Sequence, residues 1–420
     1  MAGPIAWDVA DRVSSWAASA RLSRPGPDGA DRPMSVAEQQ ELQEVFEQAC
    51  AVSEDLVIAE TGLVPQRSAR DSPGVFMVVD RQQWSRKNVA AFRGVLDGIL
   101  EDRGDGGDGG VAEGDEGGGG EEGEDRGHRE VKTSGARTSG ERSSEGKAIS
   151  QAMSSKFARP ARWMAGGELG LMVGWLAKRV LGQYDLFDGE GSIYFVAPNI
   201  LSLQAKNRFD QYPFALWIAL HEMTHRCQFE GVPWMKPYLL SIIDDLSSLL
   251  AKPDPEVIQT VVKRAASRMA SGRRIVEEGG VAALIATEDQ LGALRRLQAV
   301  MSLLEGHAEA VMNDAAHGIE KEAASYSRTL KARRNSAGAL TRFLQEIFGI
   351  RAKLLQYEEG ARFVREVQQE GGRELLARVW ESPETLPSLD ELRNAQQWVE
   401  RLRAPAQLGV AHRGGSNGAG

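Results

Sequence analysis

The chain has 420 residues, of which 42% are hydrophobic, so it can bury the core of one large domain or of two or three ordinary ones. Its formal net charge is -9, and the segment Glu101 to Arg126 carries all of it, with eleven acidic residues against two arginines. The remainder is neutral in sum, so no basic surface for nucleic acid is expected.

Two further classes are excluded by the same inventory. The two cysteines, Cys50 and Cys227, cannot form a disulfide framework and indicate a reducing compartment. The N-terminal residues lack the basic and apolar regions of a signal peptide. No uninterrupted apolar run reaches the ~20 residues of a membrane-spanning helix. We therefore expect a cytoplasmic protein that does not enter the membrane; its oligomeric state is left open.

The first part of the chain alternates between helical and extended patterns. A helix is predicted from Ser35 to Glu60, because Ser35 can cap it, Glu38 stands three residues on, and apolar residues follow at helical spacing. A short strand is predicted from Val75 to Asp80. A second helix then follows through Asn88, Phe92, Val95 and Ile99.

Residues 103–146 are rich in glycine, acidic residues, serine and arginine and nearly lack aliphatic side chains. Such a segment cannot bury enough apolar surface to offset its ordering entropy, so we predict a disordered insertion. The alternative is an acidic arm that binds a partner or inhibits the protein. Residues 404–420 are predicted to be a disordered tail.

Three glycines after the insertion, Gly166, Gly170 and Gly174, are four residues apart and share one face of a predicted helix. Because glycine disfavours helices, this face is expected to pack closely against another backbone. The clearest strand of the chain runs from Ser192 to Val196, and helical patterns dominate from Pro213 onward. The fold class predicted is mainly α with a few short strands.

The residues that carry chemistry lie on the helix that follows Pro213. His221 and His225 are one turn apart, so both imidazoles can reach one ion at ~2.0–2.1 Å. Glu222 lies about 100° round the helix from His221 and can meet a water at that ion. This His-Glu-x-x-His arrangement supplies two zinc ligands and a general base. The competing interpretation is a pair of core histidines that form hydrogen bonds.

A third ligand is required to complete such a site while leaving one position open. The three-histidine solution of the metzincins is excluded, since the chain has Gln228 and Gly231 at the critical positions. We predict Glu305, which follows an apolar run, and consider His307 as the alternative. Glu309 lies one turn further on and would orient a ligating histidine.

The chain resembles a family of uncharacterised zincin-like metallopeptidases, common in actinobacteria, whose members are often labelled as hydrolases or as associated with deazaflavin cofactor biosynthesis. The resemblance covers most of the chain outside the insertion and the tail. It is carried by the segments around 196–199, 221–234, 304–307, 353–360 and 79–88, with Leu386-Pro387 and Trp398. It implies a mainly helical zincin-like domain, made of residues 1–102 and 147–403, with zinc held by His221, His225 and Glu305.

The function expected is therefore hydrolysis of peptide or amide bonds by a zinc-activated water, with Glu222 as general base. His307 and Tyr357 are candidate oxyanion donors. Tyr194 and Phe195 are expected in the edge strand that would pair with an extended peptide. Two alternatives stay open: a non-catalytic, zinc-stabilised scaffold, and an amidohydrolase that acts on a small molecule and is linked to cofactor metabolism.

Overall fold

The computed structural model describes residues 5–19, 23–25, 31–68, 71, 75–105, 162–247, 288–315, 318–336 and 357–404. The predicted disordered insertion, apart from its first three residues, and the predicted tail after Ala404 lie outside these residues. The chain divides into two compact units. One comprises Met1–Ser19 and Arg81–Lys178, and the other comprises Ala20–Asp80 and Arg179–Gly420.

Helices make up most of the described residues. In chain order the elements are α1 (Trp7–Ala18), β1 (Ser23–Pro25), β2 (Asp31–Pro33), α2 (Val36–Thr61), β3 (Phe76–Val79), α3 (Arg81–Asp105), α4 (162–177), β4 (Gly182–Tyr184), β5 (Ile193–Val196), α5 (Ala197–Asn207), α6 (Gln211–Glu230), α7 (Met235–Ser247), α8 (Glu288–Asp314), α9 (Glu320–Ser336), α10 (Tyr357–Ala377), α11 (Leu389–Arg393) and α12 (Ala395–Arg403), with 3-10 turns at Arg378–Trp380 and Pro383–Thr385.

The smaller unit is built from α1, α3 and α4. The glycine face predicted on α4 packs directly against α1, where a Cβ added at Gly170 would lie 2.7 Å from the carbonyl oxygen of Ala10. Side chains at Gly166 and Gly174 would also overlap α1. The prediction of a close backbone contact at these glycines is therefore confirmed.

The larger unit contains a three-stranded sheet in the order β3-β5-β4, in which β5 is parallel to β3 and antiparallel to β4. The prediction that Tyr194 and Phe195 belong to an edge strand is wrong, because β5 is the central strand. All four of its residues are buried, as expected for a strand covered on both faces. The edge next to β5 is β4, whose three residues include a glycine and give too short a pattern to be predicted.

Helices α2 and α6 pack over this sheet and form one of the hydrophobic cores of the larger unit with it. Ser35 and Glu38 make the predicted capping box at the start of α2, and Gly62 ends the helix in the left-handed conformation with φ 70°. Phe46 on α2 stacks on Phe195 of β5 at 4.0 Å between ring centroids. The buried central strand β5 thus packs directly against α2.

Helices α8 and α10 approach each other at a pair of glycines. A Cβ added at Gly306 would overlap the backbone of Gly360, and one added at Gly360 would overlap the carbonyl group of Ser302. The two backbones are therefore in contact one residue beyond Glu305. The crossing therefore adjoins the residue predicted as the third ligand.

The fold class predicted from the sequence is confirmed as mainly helical with a small sheet. Within the ranges described above, none of the helices is long and apolar enough to cross a membrane.

Candidate metal centre

Helix α6 presents both histidines of the motif on one side. His221 Nε2 and His225 Nε2 are 3.2 Å apart. Glu305 approaches from α8, with one carboxylate oxygen 3.5 Å from His221 Nε2 and the other 3.7 Å from His225 Nε2. In the described part of the chain these three residues form one group that could hold a metal ion.

The spacing of these three groups fits a tetrahedral zinc ion. Two ligands that lie ~2.0–2.1 Å from one tetrahedral ion are about 3.3 Å apart, close to the separations of the nitrogen and oxygen atoms here. Two imidazoles and one carboxylate are a donor set typical of catalytic zinc, in which a fourth position stays open. The side chains of His221 and Glu305 are 27% and 21% exposed, so solvent reaches the group from one side.

Glu222 lies beneath strand β4. Its Oε2 accepts a hydrogen bond of 3.0 Å from the backbone N–H of Tyr184. A Cβ added at Gly182 would lie 2.6 Å from both the Cγ and the Oε1 of Glu222, so only glycine leaves room for the carboxylate there. Strand β4 therefore holds the side chain of Glu222 from above.

The electrostatic surroundings of Glu222 suit a general base. Burial raises the pKa of Glu222 to about 7, and the nearby Glu305 adds to this, while His221 and the hydrogen bond from Tyr184 act in the opposite direction. A carboxylate with a pKa near neutrality can both accept and release a proton at ordinary pH.

A second line of buried side chains lies behind His225. The Nδ1 atom of His225 is hydrogen-bonded to Oε1 of Gln228 at 2.9 Å. The amide nitrogen of Gln228 is 3.1 Å from the carbonyl oxygen of Leu304 and 2.9 Å from Nδ1 of His307. The sequence assigns Gln228 no role at the metal and uses it to exclude the metzincin pattern. Gln228 lies three residues after His225 on the same face of the helix, and this spacing is the sequence feature that could have identified it as a partner of His225.

His307 is buried and packs edge-on against the ring of Trp380, with 5.0 Å between ring centroids. Burial lowers the pKa of His307 to about 3, with a further contribution from His225, so the ring is neutral. Within the site His307 contacts Gln228, and His307 does not belong to the group of three ligands. Its role as an oxyanion donor stays a prediction.

The remaining candidates are distributed around the same helices. Glu309 is buried on α8, one turn beyond Glu305. Tyr357 is the first residue of α10, and its side chain lies outside the described part of the structure. Cys227, on the same helix as the two histidines, is buried, and burial raises the pKa of its thiol. The roles of Glu309 and Tyr357 stay predictions.

Comparison with known proteins gives a family match and a structural match. Residues 5–399 match the family model of the zincin-like metallopeptidases. The chain is similar to a solved structure from Chloroflexus aurantiacus, described as a candidate hydrolase with a novel fold. The identity is 24% and the TM-score 0.62, over 96% of this chain and 100% of the other. At this identity the likeness shows the fold alone. No curated protein matches the sequence significantly.

Proposed function

Because the chain belongs to the zincin-like metallopeptidase family, we propose that it is a zinc-dependent hydrolase that cleaves peptide or amide bonds. The observation that carries the proposal is the triangle of ligand atoms from His221, His225 and Glu305, with Glu222 directly after His221 on the same helix. A purely structural zinc site has no need of a buried carboxylate beside its ligands.

Zinc bound by these residues would polarise a carbonyl group and lower the pKa of a water molecule. Glu222 would then accept a proton from that water and pass it to the leaving nitrogen. The Tyr184 N–H and the space at Gly182 keep the carboxylate of Glu222 at one position. The side chains of His221 and Glu305 are partly exposed to solvent, and substrate would enter from this exposed side.

A peptide is the substrate class that the sheet favours. Strand β4 pairs with β5 through Asp185 N–H to the carbonyl of Ser192 and Val196 N–H to the carbonyl of Leu181. Glu222 lies against Gly182 of this strand and accepts a hydrogen bond from the Tyr184 N–H. An extended peptide that added a strand along β4 would pass beside Glu222.

The test compares two substitutions in purified protein. Wild type is expected to contain about one zinc per chain and to digest members of a peptide library. Glu222→Gln should keep its zinc and lose at least ~10²-fold in turnover, since glutamine cannot accept the proton. Glu305→Gln should instead be depleted of zinc and lose activity as a consequence. Glu366→Gln, at a half-exposed ion pair on α10, is the matched control and should behave as wild type.

Two results would count against the proposal. Wild-type turnover in Glu222→Gln would mean that another group activates the water. Full zinc content without hydrolysis of any peptide or small amide would favour the non-catalytic scaffold. Hydrolysis of small amides alone would keep the zinc hydrolase and reject the peptide substrate.

A further inference from the structure

Gln228 has every hydrogen-bonding group of its side chain in use within the protein. It is 0% exposed. Its oxygen lies 2.9 Å from Nδ1 of His225, and its nitrogen lies within reach of the Leu304 carbonyl and of Nδ1 of His307. An amide group has two donor hydrogens and an acceptor oxygen, and each of these has a partner here.

The carbonyl of Leu304 determines which of the two terminal atoms of the Gln228 amide is the nitrogen and which is the oxygen. A carbonyl oxygen can only accept, so the atom of Gln228 that faces it must be the NH2 group. The amide oxygen then faces His225, and Nδ1 of His225 must donate to it. A neutral imidazole that carries its proton on Nδ1 has a lone pair on Nε2. That lone pair is on the atom that lies 3.2 Å from His221 Nε2 and 3.7 Å from Glu305.

We propose that Gln228 is a positioning residue that holds His225 in its metal-binding tautomer and ties this ligand to the helix that carries Glu305. The second part follows from the sequence position of Leu304, which directly precedes Glu305 on α8. The side chain of Gln228 thus determines which ring nitrogen of His225 carries the proton. It also fixes the distance between His225 on α6 and Glu305 on α8. This proposal rests on the zinc site proposed above.

Two substitutions separate positioning from mere packing. Gln228→Met keeps a similar volume but removes the acceptor for His225. Gln228→Glu keeps that acceptor, yet places a carboxylate oxygen against the Leu304 carbonyl in a buried site, which destabilises the fold. If Gln228 positions His225, Gln228→Glu binds zinc more tightly than Gln228→Met. If Gln228 only fills space, Gln228→Met is the better binder of the two.

The zinc affinity of folded protein is measured by competition with a chromogenic chelator. Loss of a residue that orients a metal ligand costs about 10–100-fold in affinity, and this is the loss expected for Gln228→Met. Thr224→Val is the matched control, because Thr224 is buried on the same helix and its hydroxyl donates to the Leu220 carbonyl. It should bind zinc as wild type does. Affinity of Gln228→Met within twofold of wild type would overturn the proposal.

A second measurement does not need zinc. In metal-free protein with 15N-labelled histidine at pH 8, the ring nitrogens of His225, identified by their absence in His225→Asn, should show the proton on Nδ1. Gln228→Met should lose this preference and Gln228→Glu should keep it. An unchanged tautomer in Gln228→Met overturns the positioning role. Failure of the proposed function is instead seen in wild type alone, as absent zinc or absent hydrolysis.

Discussion

At the scale of the residue, the site combines ligands that are visible in the sequence with neighbours that are not. His221, Glu222 and His225 follow from spacing on one helix. The carboxylate of Glu222 also depends on Gly182, which is 40 positions earlier in the chain and has no feature of its own in the sequence. The absent side chain of Gly182 is the reason that β4 can lie over Glu222.

This dependence predicts that Gly182→Ala damages activity without removing the metal. The new methyl group would lie 2.6 Å from Glu222 Oε1 and must displace the carboxylate. A misplacement of about 1 Å can cost roughly 10²-fold in rate. Zinc content and turnover measured on the same preparation check the prediction. Gly167→Ala, where an added methyl meets nothing within 4 Å, should leave both unchanged. Normal turnover in Gly182→Ala would show that the strand yields and that Glu222 is not held by it.

At the scale of the element, two helix contacts determine where the third ligand stands. Glu305 reaches the histidines because α8 packs on α6, and Gln228 bridges the two helices at Leu304. On its other side α8 is pressed against α10 at Gly306 and Gly360. A ligand on α8 is thus held between two neighbours, and a change at either should move it.

The crossing of α8 and α10 gives a test of this arrangement. Gly306→Ala would force the two backbones apart and should lower the free energy of unfolding by about 1–3 kcal/mol, the usual cost of overpacking. Zinc affinity should fall with it, since Glu305 is the preceding residue. Gly292→Ala lies on the same helix, where an added methyl meets nothing within 4 Å. It should stabilise by up to ~1 kcal/mol through helix propensity. Denaturant unfolding and chelator competition measure both effects. If the two variants were equally stable, α8 and α10 would not be in the contact described.

At the scale of the whole molecule, every described residue of the site belongs to the larger of the two compact units. Its ligands come from α6 and α8, which are separated by more than fifty residues of chain. An ion that joins them stabilises the folded state over the unfolded one, because an unfolded chain does not hold the three groups together.

Removal of the metal should therefore lower thermal stability. At a free zinc concentration 100 times the dissociation constant, binding contributes about 2.7 kcal/mol. We expect treatment with a chelator to lower the melting temperature and added zinc to restore it. His225→Ala has lost one ligand and should melt at the same temperature with and without chelator. If neither chelator nor added zinc changed the melting temperature of the wild type, the protein would not have the site described.

The sequence by itself determined the parts of this protein that depend on neighbours along the chain. The capping box of Ser35 and Glu38, the glycine face of α4 and the two histidines one turn apart all express helical periodicity, which acts over a few residues. The prediction of Glu305 also rested on a local pattern, an acidic residue after an apolar run, and the structure brings it to the two histidines.

The tertiary structure decided what depends on distant pairs. Strand β4 is three residues long, and its pairing with β5 made β5 central, contrary to the prediction from its residues alone. Gln228 meets Leu304 across 76 positions, and Gly306 meets Gly360 across more than fifty. Such contacts leave no periodic signal in one sequence, because the residues that satisfy a buried amide or permit a close crossing become neighbours only after the chain has packed.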